Sequence, residues 1–136
     1  MLSRAANRAP MSTILLVDDD PLQAYLMMSL LGRRFTDVHR VNDAAEALCL
    51  VEQLDFSSKL GLVISGHHTM GFGGPAFVAE LRARVPALPI LVLGMIGEAA
   101  SDYTASRVLF VPRHLVAEQM VALSGQLLGQ PKREVA

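Results

Sequence analysis

The stretch Ser12-Thr13-Ile14-Leu15-Leu16-Val17-Asp18-Asp19-Asp20-Pro21 joins an unbroken apolar run to three carboxylates and a proline. A short run of Ile, Leu and Val without polar alternation marks a strand covered on both faces, as in a parallel sheet. Asp20 is placed to cap a following helix, with Pro21 at the first helical position, where its missing N–H is no loss. A buried strand that ends in acid and turns directly into a helix is the opening unit of an α/β fold.

The alternation continues along the chain. Apolar runs recur at Val38 to Val41, Leu60 to Ser65, Ile90 to Leu93 and Val108 to Val111. Between them, spacings of three and four predict helices. Their core-facing stripes are Leu22, Tyr25, Leu26, Ser29 and Leu30, then Ala44, Leu48 and Val51, then Phe77, Leu81 and Val85, and last Val116, Met120, Leu123 and Leu127. Asp43 with Glu46 forms a capping box, Gly73, Gly74 and Pro75 open the next helix, and Pro89 starts a strand. Met95 to Ser106 must hold the fourth helix, with Ala99, Ala100, Tyr103 and Ala105 as its core face, but Ser101, Thr104 and Ser106 are mediocre helix formers. The expected fold is α/β, a flavodoxin-like doubly wound (βα)5 domain with a five-stranded parallel sheet in the order 2-1-3-4-5.

Composition narrows the function. The 136 residues are enough for one domain, with residues 1–11 expected as a disordered arm, 12–130 as the domain and 131–136 as a frayed tail. Hydrophobic residues make up 51% and charged residues 18%; against an ordinary charged share of about 25%, this predicts exposed apolar surface. A net charge of −1 offers no attraction for nucleic acid. Cys49 is the single cysteine, so neither an internal disulfide nor a cysteine-built zinc site can form; it sits in an apolar helix and is expected to be packed. No apolar run reaches the roughly 20 residues that span a bilayer, and the first ten residues lack the core of a secretory signal. The expectation is a cytoplasmic protein with no membrane partner.

Ligands of open α/β sheets bind beyond the carboxyl ends of the strands, where Asp18, Asp19 and Asp20 lie. Three adjacent carboxylates repel one another unless a cation is near. Two readings stand level on these residues alone. One is a site for a hard cation such as magnesium. The other is a helix cap with two solvated neighbours that complement the helix dipole.

The stretch from Ser12 to Pro21 resembles the start of a response-regulator receiver domain of the CheY-like type. Val38 to Leu48 resembles that family's second strand and helix start, and Leu62-Val63-Ile64-Ser65 with Met70-Gly71-Phe72-Gly73-Gly74 its third strand and loop. The resemblance in element order runs from about Ser12 to Leu128. It implies phosphoryl transfer from a histidine kinase to an aspartate at the end of the third strand, with magnesium on the acidic pair. Asp18 and Asp19 match that pair, Asp19 as direct ligand and Asp18 through water. The phosphoacceptor position falls on Gly66 and the hydroxyl position on Gly94, neither of which has a side chain to do the chemistry. The basic position falls on Arg113, with His114 where the family has proline, and the aromatic switch position on Phe110. Arg113 is expected to relieve the Asp18–Asp19 repulsion rather than to hold a phosphoryl group. With Gly66 a metal ligand is lost, so magnesium binding is expected to be weak or absent.

The resemblance thus implies an atypical single-domain response regulator, a pseudo-receiver without enzymatic activity. It would act in a two-component or phosphorelay-type system by phosphorylation-independent protein–protein binding to a signalling partner. The last helix carries a second stripe, Ala117, Val121, Ser124 and Leu128, proposed as an interface for a homodimer. Other readings are weaker. Asp18 and Asp20 form a D-x-D resembling the first motif of haloacid-dehalogenase-type phosphatases, the basis of an alternative as a small Mg-dependent aspartyl phosphatase-like enzyme. No later acidic pair or suitably placed lysine supports it, Lys59 and Lys132 being in the wrong regions. A flavin binder would meet an acidic loop where a phosphate should be cradled. His67 and His68 lack the further ligands that a metal site needs.

Overall fold

The computed structural model describes residues 13–66, 68–69, 72–94, 108–112 and 117–128. The chain runs β1 (Thr13–Val17), α1 (Pro21–Leu31), β2 (Val38–Val41), α2 (Ala44–Val51), the one-turn α3 (Leu54–Ser57) and β3 (Leu60–Gly66). It continues through β4 (His68–Thr69), β5 (Phe72–Gly73), α4 (Gly74–Arg84), β6 (Ile90–Gly94), β7 (Leu109–Pro112) and α5 (Ala117–Leu128). β2-β1-β3-β6-β7 form one sheet in that order, every pairing parallel, while β4 and β5 make a separate antiparallel hairpin. The expected fourth helix at Met95 to Ser106, the arm at 1–11 and the tail at 131–136 fall outside the described residues.

The period-two alternation of strand side chains divides the core between the two sheet faces. Leu15, Val17, Val63, Ile90 and Val92 point to one side and pack with Ala47, Leu48 and Val51 of α2 and Phe77, Val78 and Leu81 of α4. Ile14, Leu16, Leu62, Ile64, Leu91 and Leu93 point to the other and pack with Ala24, Met27 and Leu31 of α1 and Met120 of α5. β1 and β3 are buried along their whole length, which is why both read as unbroken apolar runs. Among the described residues, no helix is long and apolar enough to cross a membrane.

Local signals set the helix boundaries. The Asp20 carboxylate accepts the backbone N–H groups of Leu22 and Gln23 at 3.0 and 3.4 Å, capping α1. Asp43 accepts from Glu46 N–H at 2.8 Å, and Glu46 reaches back to Asn42 N–H at 3.1 Å, closing a capping box around the start of α2. Arg84 at the end of α4 pairs with Glu80 at 2.7 Å and with Glu52 at 2.9 Å, joining α4 to the end of α2. Hydrogen bonds to these carboxylates raise its pKa further, so the cation persists at any ordinary pH.

Two expectations are corrected. The stripe Leu22, Tyr25, Leu26 and Ser29 faces solvent, and α1 buries Ala24, Met27 and Leu31 instead. The eleven residues from Pro21 to Leu31 carry no charge, so apolar spacing cannot select the inward side; the β1–α1 connection and packing on β1 and β3 select it. Cys49 is exposed, because Ala47, Leu48 and Val51 form the buried side of α2. In α5, Val121, Ser124 and Leu128 of the second stripe rest partly on the core. Ser124 is fully buried and donates to the Met120 carbonyl at 2.9 Å, while Val121 and Leu128 are half-buried against the same cluster.

The phase of α1 is testable by two neighbouring substitutions. Met27→Ala should lower unfolding free energy by about 2–5 kcal/mol, whereas Leu26→Ala should change it by less than about 0.5 kcal/mol. Urea unfolding at low micromolar protein measures both, and the reverse ranking would mean that α1 is rotated from this arrangement.

Candidate functional site

The site lies at the carboxyl edge of the sheet. Val17, the last residue of β1, pairs with Val41 on one side and Ser65 on the other. Asp18 follows immediately, its N–H donating to the Val41 carbonyl at 3.1 Å. Gly66 ends β3, buried and in register with Leu93 of β6, and Gly94 ends β6 in register with Pro112 of β7. The ladder therefore sets the turn after Asp18, Gly66 and Gly94 along one edge in the order β1, β3, β6.

Each carboxylate of the acidic run has its own setting. Asp18 is half-buried, and its Oδ1 accepts the Asp20 N–H at 3.0 Å, closing a tight turn. Asp20 is occupied with the N-terminus of α1. Asp19, between them, is exposed. Among the described residues, a cation anchored beside the run is Arg40 of β2. Its Nε and Nη2 donate to the Asp18 backbone carbonyl at 3.1 and 2.8 Å. Because Leu16 and Val17 pair with Arg40 and Val41, the parallel register carries the guanidinium to the turn that follows β1. Sequence reading assigned charge relief to Arg113, which lies outside the described residues, as do His67 and His114. The missed signal was positional: Arg40 is the penultimate residue of a short strand next to β1.

Gly66 and Gly94 bring only backbone to this edge. The nearest side-chain hydroxyl on β3 is that of Ser65, fully buried and donating to the Gly66 carbonyl at 3.1 Å. Phe110 lies within β7, two positions before its end. Among the described residues no group of three or more His, Cys, Asp or Glu could hold a metal ion. Magnesium wants a near-octahedral oxygen shell. Among the described residues this edge offers the carboxylates of Asp18 and Asp19 and none from β3, which is short of such a shell. The D-x-D reading meets a further obstacle, since its second carboxylate, Asp20, is the helix cap.

No protein-family model matches the chain, and no curated protein does. Solved structures do match its fold. A response regulator receiver domain protein from Clostridium thermocellum superposes with a TM-score of 0.77 at 15% identity, covering 86% of this chain and 94% of that one. The receiver domain of NtrX from Brucella abortus gives 0.73 at 19% identity, covering 87% and 99%. A CheY-like response regulator receiver domain protein from Methanospirillum hungatei gives 0.77 at 14% identity, covering 86% and 93%. The chain has the α/β receiver fold with a parallel sheet.

The Arg40 contact generates a measurable expectation. Arg40→Gln should destabilise the fold by about 1–3 kcal/mol, as for loss of a hydrogen bond made by a charged group. Urea unfolding of the variant beside the native chain checks it, and equal midpoints would show that the Asp18 turn stands without the guanidinium.

Proposed function

We propose that this chain, which carries the fold of response-regulator receiver domains, is a pseudo-receiver. It acts in a two-component or phosphorelay-type pathway by binding a protein partner, without being phosphorylated on aspartate and without catalysing a reaction. Gly66 supports the reading most. It ends the strand beside β1 and its acidic turn, where the receiver scheme needs a carboxylate nucleophile, and glycine offers no oxygen that could form an acyl phosphate. Gly94 removes the hydroxyl that would hold a phosphoryl group, and Arg40 occupies charge that a magnesium ion would otherwise supply. The full (βα)5 arrangement with its fourth helix, the pairing of Arg113 with the acidic run, the switch position at Phe110 and a place in the cytoplasm belong to the same proposal.

In a typical switch of this kind the added charge biases a two-state element. With neither acceptor nor hydroxyl, the chain holds one state, and its output depends on how much of it is present and on what it binds.

Intact mass after incubation with magnesium and a small acyl-phosphate donor tests the proposal. The native chain should gain no phosphoryl group, and Gly66→Asp should gain one. An adduct on the native chain, removed by Asp18→Asn or Asp19→Asn, would overturn it.

A further inference from the structure

The solvent side of α1 is the most apolar exposed surface among the described helices. Leu22 and Tyr25 are each 68% exposed and Leu26 52%, with exposed Ser29 completing the same side. The largest apolar patch on a soluble monomer is often its functional surface. The helix between Pro21 and Leu31 has no charged residue, so nothing along its length selects a charged partner. Charge appears only at its ends: Asp18, Asp19 and Asp20 before it, Arg33 and Arg34 after it.

That arrangement is complementary to itself when reversed. In an antiparallel pair of α1 helices with a two-fold axis near Tyr25 and Leu26, Tyr25 meets Leu26 of the other copy and Leu22 meets Ser29 and Leu30. At 1.5 Å rise per residue the two ends of α1 lie about 7–8 Å from that axis, on opposite sides of it, with Asp19 just before one end and Arg33 just beyond the other. Exposed Asp19 of one copy then comes beside exposed Arg33 of the other, twice over. A parallel pair would instead bring acid to acid and base to base, and would align the helix dipoles unfavourably. An interface between identical copies about a two-fold axis requires this self-complementarity of one patch.

We infer that the partner of this surface is a second copy of the chain, docked through α1 as an antiparallel two-fold dimer. The exposed apolar area is on the order of 400 Å² per copy, about half of a standard interface. The dimer is therefore weak and concentration-dependent. Arg34 contributes less than Arg33, because its guanidinium lies over the Phe35 ring, 5.8 Å from the centroid, and against Gly125 of α5. The inference is independent of the pseudo-receiver reading, since it uses neither Gly66 nor Gly94.

Sedimentation velocity from about 10 µM to 1 mM tests it. The native chain should move from monomer towards dimer across that range, and less so in 0.5 M than in 0.05 M sodium chloride. Leu26→Asp and Tyr25→Asp, both at exposed positions, should keep the circular dichroism of the native chain and weaken association at least tenfold. Asp19→Arg should weaken it at low salt, and Asp19→Arg combined with Arg33→Asp should restore it. In a Cys49→Ser background, Leu26→Cys should be captured as a covalent dimer by a short bis-maleimide, while Gln126→Cys on the exposed side of α5 should not. A monomer throughout the range would overturn the inference and leave the face to a different protein. A dimer indifferent to Leu26→Asp, or captured at position 126 rather than 26, would overturn it by placing the contact elsewhere.

Discussion

Everything in this molecule is referred to β1, a five-residue strand with no side chain reaching solvent and a hydrogen-bonded strand on each side. Burial on both faces requires an apolar residue at every position bar Thr13, whose hydroxyl donates to Asp37 at 2.5 Å. It also leaves the strand no freedom of register, because a slip by one residue would exchange the two halves of the core. With β1 fixed, Asp18 can only emerge at the carboxyl edge beside Gly66. Asp20 can only fall at the head of α1, and Arg40 can only arrive level with the turn between them. The acidic run is thus held by backbone geometry, and the Arg40 guanidinium of the adjacent strand is anchored on the carbonyl at its head.

The proposed reading, a receiver scaffold without its phosphorylation chemistry, asks little of the packing. The core fills both sheet faces and the side-chain caps of α1 and α2 are made. The positions it rests on sit at strand ends, where the lack of a side chain costs little packing. Gly66 and Gly94 are such places: they close two central strands without disturbing the layers above or below. A fold of this kind can lose a catalytic function and retain surfaces.

Much of this was legible in the sequence. Short Val/Ile/Leu runs located each strand of the main sheet to within a residue or so, because strands covered on both faces admit little else. Asp20, Asp43 and Glu46 announced their caps, since capping is a local interaction between neighbours in the chain. What was not legible depends on neighbours distant in sequence. The inward side of α1 was misjudged because an uncharged helix has apolar spacings on every side, and only its seat on β1 and β3 distinguishes Met27 from Leu26. Arg40 was overlooked because its nearness to Asp18 exists only once β2 is laid beside β1. The one-turn α3 and the β4–β5 hairpin are too short to leave a periodic trace.

The strand order has a consequence for how the chain reaches this state. β1 lies between β2 and β3, and its most buried partner is the later one: Ile14 meets Leu62 only after α1, β2, α2 and α3 have all been made. Closing so long a loop is slow compared with forming a helix, and parallel pairings of this kind dominate the folding time of such domains. Until β3 arrives, α1 has half a sheet to lie on and carries no charge along its length. The nascent domain is therefore at its most adhesive early, before its third strand, and crowding or slow synthesis of that stretch would act on this interval more than on the finished fold.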